Sequence, residues 1–98
     1  MSKNKTWYEE LLFALIDSDI QNLDVSEKDV IELINSTIDN TKHKDIYISY
    51  WRGWPKRSVE DTSKKYLIPK DRIRTILCKC DREIAKYIKK NKWVELHT

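Results

Sequence analysis

Glycine, proline and cysteine are scarce in this chain. Its 98 residues include one Gly, two Pro and two Cys. So little Gly and Pro leaves few residues for β-turns, while Ile, Leu, Lys and Glu at helical spacing favour an all-α fold. The length suits one domain with a modest core. Four Trp and five Tyr favour a folded chain over a disordered one.

The two cysteines, Cys78 and Cys80, predict neither a disulfide nor a metal site. Two residues apart on a helix, they point to nearly opposite sides and could be bridged only by breaking it. His43 and His97 are the only histidines that could complete a zinc site, and both are distant in sequence. We expect Cys80 to be a small core residue and Cys78 an ordinary thiol in a reducing cytoplasm, with no metal or cofactor.

Membrane-targeting and catalytic patterns are missing as well. No apolar run is long enough to cross a bilayer, and the charged first residues do not resemble a signal peptide. The sequence has no Gly-rich phosphate loop, no Ser or Cys nucleophile with a nearby His, and no paired carboxylates in an apolar setting. We therefore expect a cytoplasmic protein that is not an enzyme and has no membrane partner.

Charge divides the chain into two unlike parts. Residues 1–50 carry five basic and ten acidic side chains, a net −5, whereas residues 51–98 carry fourteen basic and six acidic, a net +8. The basic half suits a polyanion that the acidic half would repel. We expect one domain, 1–98, with an acidic N-terminal part, 1–44, and a basic part, 45–98, that have different partners.

Capping patterns and apolar spacing predict about five helices. Thr6 with Glu9 opens a helix that runs to about Asp17 and is apolar almost all round. Such a helix must lie between other elements or between subunits, and core packing is the default. Ser26 with Asp29 opens a second helix, which residues 40–44 should end because Asn, Thr and Lys favour turns and helix C-termini. Its predicted buried side is formed by Val30, Ile31, Leu33, Ile34 and Ile38.

Residues 45–54, D-I-Y-I-S-Y-W-R-G-W, are ambiguous between strand and helix. Apolar residues alternate, and β-branched and aromatic residues favour strands. We predict a helix that Gly53 ends, because no second strand exists to pair with it. Trp51 and Trp54 could stack on single-stranded nucleic acid, but holding this helix against the next is the expected role.

Residues 58–76, S-V-E-D-T-S-K-K-Y-L-I-P-K-D-R-I-R-T-I, predict two helices joined by a tight turn. Ser58 with Asp61 caps the first helix. Pro69 is tolerated only outside a helix or in its first turn, so it separates the helices and begins the second. The second helix is long, with one apolar stripe at intervals of three and four. That stripe is Ile73, Ile76, Leu77, Cys80, Ile84 and Ile88.

Charged residues crowd the other side of the second helix. Arg can bind guanine O6 and N7 bidentately, and a helix N-terminus approaches the groove floor and phosphates well. A solvated amphipathic face is the ordinary alternative. The capped helix and tight turn before this one favour major-groove reading. The side chains concerned are Lys70, Asp71, Arg72, Arg74, Thr75 and Lys79.

The same stretch resembles the DNA-binding helix-turn-helix of region 4 of bacterial sigma-70 family factors. Their consensus, T-L-E-E-I-A-E-R-L-G-V-S-R-E-R-V-R-Q-I, aligns with residues 58–76 without a gap, most clearly where K-D-R-I-R-T-I, residues 70–76, meets R-E-R-V-R-Q-I. The resemblance implies contact with promoter DNA. It proposes five base-reading residues, which we call the reading set. The reading set consists of Lys70, Asp71, Arg72, Arg74 and Thr75.

Several positions depart from the family pattern. Thr62 replaces a core Ile, Leu67 the turn Gly, Pro69 a capping Ser or Thr, and Asp81 a Leu. The turn position often requires a positive φ, which Gly adopts freely. Thr75 also stands where the family has Gln, so the sequence preference should differ.

Further basic residues suggest phosphate contacts, which position a protein on DNA without reading sequence. Lys56 and Arg57 precede the first helix of the pair, Lys64 and Lys65 lie within it, and Lys79 follows the reading set. Near the C-terminus Lys89, Lys90 and Lys92 would add non-specific affinity. The apolar residues Trp93, Val94 and Leu96 either fold back on the N-terminal helices or dimerise, which the sequence does not decide.

Three functions fit these observations. The first is a sequence-specific transcription regulator that binds double-stranded DNA in a bacterial or phage-infected cell. The segment before Tyr47 is too short for a promoter-melting sigma domain, so we expect a stand-alone module of phage or mobile-element type, whose N-terminal helices form a homodimer or touch RNA polymerase. The second is a modulator that mimics region 4 and binds RNA polymerase or a sigma factor without specific DNA binding. The third is a DNA-packaging or recombination accessory protein.

Overall fold

The computed structural model describes residues 6–16, 25–54, 56 and 58–96, and all regular structure in these ranges is helical. This confirms the all-α prediction. Asp17 and His97, which entered the sequence predictions, lie outside the described residues. The six helices are α1 (Trp7–Leu15), α2 (Glu27–Thr37), α3 (Thr41–Arg52), α4 (Val59–Tyr66), α5 (Lys70–Lys90) and α6 (Trp93–Leu96).

Side-chain caps begin four of these helices. Thr6 with Glu9 and Ser26 with Asp29 form the predicted reciprocal capping boxes of α1 and α2. At α4, the Asp61 N–H donates to Ser58 Oγ at 3.2 Å, as predicted. Each cap satisfies a backbone donor that has no partner inside its helix.

Asn40 also caps a helix, which corrects the predicted end of α2. Residues 40–44 do not terminate α2, because that helix ends at Thr37 and Ile38 comes next in an extended conformation. Asn40 instead accepts a hydrogen bond from the His43 N–H at 3.1 Å and starts α3. Asn is as favourable at an N-cap as it is in a turn, and the sequence pattern did not distinguish the two.

The ambiguous segment 45–54 lies mostly in α3, so the prediction of a helix there is confirmed, and Gly53 is its C-cap. Trp51 is 5% exposed and belongs to the core, while Trp54 packs partly buried against it. Both side chains therefore pack in or against the hydrophobic core.

One hydrophobic core joins α1, α2, α3, α5 and α6. The predicted stripe of α5 is buried along its whole length. Cys80, within that stripe, is 2% exposed, and the Cys78 thiol is exposed, as predicted. Burial, and to a lesser extent the charges of Glu83 and Asp81, raises the pKa of the Cys80 thiol to about 12.

The short helix α6 is the sixth, where about five were predicted. Its Trp93 joins the core, so the C-terminal end folds back on the chain, one of the two arrangements that the sequence left open. Leu15 and Ile16 at the end of α1 line a groove together with Val94. Leu96, in contrast, is 74% exposed.

Polar contacts between α1, α2 and α3 converge on Glu27. The Trp7 indole N–H donates to one carboxylate oxygen of Glu27 at 2.9 Å, and Arg52 pairs with the other at 3.2 Å. The Arg52 guanidinium also lies 5.8 Å from the Trp7 ring centroid. Phe13 and Ala14, on the other side of α1, are exposed among the described residues, so α1 is not buried all round as its apolar sequence suggested.

The turn between α4 and α5 has a left-handed residue. Leu67 ends α4 with φ 56° and ψ 45°, and it is 89% exposed. This conformation lets the Leu67 and Ile68 N–H groups both donate to the Ser63 carbonyl, while the Ser63 hydroxyl donates to the Ile68 carbonyl. Leu67 occupies the position where the sigma-like pattern has Gly, and it adopts the positive φ that Gly would supply.

Leu67→Gly should therefore stabilise the protein. A residue with a Cβ atom in the left-handed region costs about 1–2 kcal/mol, which exceeds the extra conformational entropy that Gly loses on folding, about 0.5–1 kcal/mol. We expect the free energy of unfolding in urea to rise by up to about 1 kcal/mol. Leu67→Ala is the control, because it removes the exposed side chain but keeps Cβ and should bring no gain. Equal effects of the two changes would contradict this explanation.

Candidate nucleic-acid interface

Two inter-helix hydrogen bonds fix α4 against α3. Lys65 Nζ donates to Ser49 Oγ at 3.0 Å, and the Tyr66 hydroxyl donates to the Asp45 carbonyl at 3.2 Å. Thr62, which stands where the sigma-like pattern has an apolar core residue, is 6% exposed. Its hydroxyl donates to the Ser58 carbonyl at 2.9 Å, so the buried polar atom is satisfied within its own helix.

A partly buried hydrogen bond connects α3 to the middle of α5. The Tyr47 hydroxyl donates to Asp81 Oδ1 at 2.6 Å. Tyr47 is fully buried and Asp81 is half-buried. Burial, then the charge of Asp81 and this hydrogen bond, raise the pKa of Tyr47 well above its ordinary value, so its hydroxyl stays protonated and remains a donor. Asp81 thus has a structural role at a position where the sigma-like pattern has Leu.

The structure places all five predicted base-reading side chains on the solvent side of the first turns of α5. The helix is held from behind by the buried residues Ile73, Ile76 and Leu77. Among the described residues, the N-terminal end of α5 is therefore exposed on one side while its other side lies in the core. The exposed set is Lys70, Asp71, Arg72, Arg74 and Thr75.

Two residues of this set, Arg74 and Thr75, contact a third, Asp71. Arg74 pairs with the Asp71 carboxylate at 3.0 Å, and the Thr75 hydroxyl donates to the Asp71 carbonyl at 3.0 Å. The Arg74 and Asp71 side chains are 62% and 98% exposed, and an ion pair so exposed contributes only about 0.2–1 kcal/mol. Arg74 can therefore exchange this contact for a ligand at little cost.

The predicted phosphate-contact residues lie on three parts of the chain. Lys56 is exposed in the loop before α4, Lys64 is exposed on α4, and Lys79 is exposed on α5. Lys65 is exposed too, but its ammonium group is bonded to Ser49 of α3 and lies 5.5 Å from the Tyr66 ring centroid. Arg57 lies outside the described residues.

The sequence prediction overlooked two basic residues, Arg82 and Lys86. They are exposed on α5, and their spacing places them on the same helix side as Thr75 and Lys79. Counting forward by three and four from Thr75 would have found them. With the neighbours in that series they form what we call the basic row. The basic row consists of Lys79, Arg82, Lys86 and Lys89.

Other kinds of site receive no support from the described ranges. Within them, no group of three or more His, Cys, Asp or Glu is arranged to hold a metal ion. None of the helices there combines the length and apolar character needed to cross a membrane.

Comparison of the chain with protein-family models, with curated proteins and with solved structures finds no match. Support for any function must therefore come from the geometry and charge of the chain's own residues.

Replacing either partner of the hydrogen bond between Tyr47 and Asp81 should destabilise the fold. Tyr47→Phe removes a donor from a partly buried carboxylate, and hydrogen bonds to charged groups contribute about 1.5–3 kcal/mol. Tyr47→Phe combined with Asp81→Leu should cost less than the sum of the single changes, because the donor and the acceptor of this bond are then removed together. Urea denaturation of the four proteins measures this coupling.

Tyr66→Phe is the matched control for this cycle, since its hydroxyl bonds to an exposed carbonyl. We expect it to cost less than about 1 kcal/mol. Strict additivity of Tyr47→Phe and Asp81→Leu would show that the bond does not couple α3 to α5.

Proposed function

We propose that this chain is a sequence-specific DNA-binding transcription regulator that acts in the cytoplasm of a bacterial or phage-infected cell. In this proposal α4, its turn and α5 form a helix-turn-helix similar to region 4 of sigma-70 family factors, and α5 is the recognition helix. The observation that carries it is the position of Lys70, Arg72 and Arg74. All three are exposed at the N-terminal turns of a helix whose opposite side is anchored in the core.

The exposed reading set has the chemistry for direct base contact. With its side chains, an α-helix is about as wide as the major groove, so the first turns of α5 fit there. Arg72 and Arg74 each present a planar fork of donors, which suits guanine O6 and N7. Thr75 offers a hydroxyl for a base edge and a methyl group for thymine. Asp71 orients Arg74 before binding, through their ion pair.

Phosphate contacts would then fix the register of the protein on the duplex. Lys56 lies just before α4, at the end of that helix which faces the DNA backbone in many helix-turn-helix proteins. Lys64 and Lys79 are exposed cations on the two helices of the motif. Lys65 would contribute less, since it already bonds to Ser49.

Selection of bound fragments from a random duplex pool tests this function directly. At about 150 mM salt, where sequence-independent binding is suppressed, we expect one enriched motif. Two half-sites about one helical turn apart would indicate a homodimer, and a single half-site a monomer. Absence of enrichment with folded protein would overturn the proposal and favour the modulator that binds RNA polymerase or a sigma factor. Rings or larger assemblies by mass measurement would favour the packaging or recombination protein.

Arg74→Ala and Lys56→Ala should weaken binding in different ways. Loss of a bidentate base contact should cost about 1–3 kcal/mol and relax the preference at one base position. Loss of one phosphate contact should instead weaken all sequences alike and lower the salt slope by about one. Titrations of selected and random duplexes at several salt concentrations measure both effects.

Lys28→Ala, an exposed charge on α2, is the control for these titrations and should change neither quantity. If Arg74→Ala weakened selected and random DNA equally, Arg74 would not be a base reader.

A further inference from the structure

We propose that the basic row, Lys79, Arg82, Lys86 and Lys89, is a second DNA-contact segment, which binds phosphates beside the recognised bases whatever their sequence. It rests on the proposed function, because the reading set at the start of α5 brings the duplex to this helix. Beyond that function, the basic row would lengthen the stretch of DNA that the protein covers. Its contacts would not depend on the DNA sequence.

The basic row continues the solvent-facing side of α5 well beyond the reading set. Its members come after Thr75 at intervals of three and four residues, and all four are exposed. With a rise of about 1.5 Å per residue, Lys79 lies about 6 Å and Lys89 about 21 Å along the helix from Thr75. The major groove is only about 12 Å wide, so Lys86 and Lys89 extend past the groove that holds the reading set.

The positive charges of the basic row have few acidic neighbours in the part of the chain that the structure describes: Lys79 shares a groove with Asp39 and Glu83, and Lys89 shares one with Glu95. Within the described ranges none of the four side chains forms an ion pair. Surface helices commonly place acids three or four residues from lysines, and the one such acid here, Glu83, four residues after Lys79 and three before Lys86, is half-buried and forms no ion pair with either lysine in the described ranges. The acids that flank it in sequence are half-buried: Asp81 accepts a hydrogen bond from Tyr47, and Glu83 lines a groove with Asp39 and with Lys79 of the basic row. Four like charges on one helix side repel one another, and a polyanion would relieve that repulsion.

Duplex DNA fits this surface better than an anionic membrane does. A helix that binds a lipid surface needs an apolar face free to enter it, and the apolar face of α5 is buried in the core. The exposed large apolar side chains of the described ranges are Phe13, Leu67 and Leu96, and none of them is in the basic row. A linear polyanion with one charge per about 1.7 Å matches a linear series of cations.

The double change Lys86→Gln with Lys89→Gln tests the basic row while leaving the reading set intact. Each lost phosphate contact should lower the slope of log affinity against log salt by about 0.9, so the double variant should lose about 1.8. At about 150 mM salt this corresponds to roughly tenfold to thirtyfold weaker binding. The motif selected from a random pool should be unchanged. Lys28→Gln with Lys42→Gln removes the same charge from exposed positions on α2 and α3, and it should leave slope and affinity nearly unchanged.

Duplex length gives a second, independent readout. The wild-type chain should bind a duplex with flanks, about 30 base pairs, at least tenfold more tightly than one trimmed to about 14, because trimming removes phosphates that the basic row would contact. The double variant should lose most of this difference, and the control pair should retain it. Circular dichroism of all three proteins checks that they are folded.

The outcomes separate this proposal from the proposed function. If selection yields an enriched DNA motif but the double variant and its control have equal salt slopes, the proposal for the basic row is overturned. The proposed function then still stands. No motif, but a lower slope on random DNA for the double variant alone, would overturn the function and support the basic row as a DNA contact. Binding of the wild-type chain to vesicles of anionic lipid in preference to either duplex would overturn the choice of DNA.

Discussion

Burial of the apolar side of α5 is the constraint on which the rest of the structure depends. Every other helix packs against α5, so this helix is the centre of the fold. Each fully buried aliphatic side chain of its stripe contributes about 1.5–3 kcal/mol, which is large beside the exposed ion pair of Arg74 and Asp71. The core therefore fixes the rotation of α5 about its own axis. That rotation in turn decides that the reading set and the basic row face solvent.

An apolar stripe sets the rotation of a helix but tolerates sliding along its axis, because aliphatic side chains can pack in more than one register. The bond from Tyr47 to Asp81 is directional and lies between α3 and the middle of α5. Displacement of either helix by one turn would leave a partly buried carboxylate without this donor, at a cost of about 1–3 kcal/mol. Polar contacts near a core are well suited to specifying register in this way. We infer that Asp81, where the sigma-like pattern has an apolar residue, helps to fix α5 at one height beside α3.

Local patterns predicted much of this fold because its determinants are local. The stripe of α5 could be read from its spacing alone, and the caps at Thr6, Ser26 and Ser58 could be read from pairs three residues apart. The prediction for Asn40 was wrong because its side chain serves turns and N-caps equally well, and the conformation of the next residues decides between them. The fold-back of Trp93 depends on contacts with distant parts of the chain, which no local pattern contains.

The exposure of the reading set was predictable for the same reason as the stripe. The engagement of Arg74 with Asp71 and of Lys65 with Ser49 was not, because side-chain partners depend on rotamers and on packing between helices.

The position of α5 determines on which sides of the molecule the acidic and the basic residues lie. The acidic helices α1 and α2 pack against α5, as the core requires, and their exposed acids include Glu9 and Glu32. The basic row and the reading set are exposed, on the side of α5 that none of the described helices covers. A polyanion is therefore attracted to one side of the molecule and repelled by acids carried on the helices that cover the other. Such a field does not read sequence, but under the proposed function it would turn α5 toward the duplex before any base is contacted and so raise the fraction of encounters that are productive. Under the proposed function, the acidic half of the chain would thus assist DNA binding by orienting it, without touching DNA.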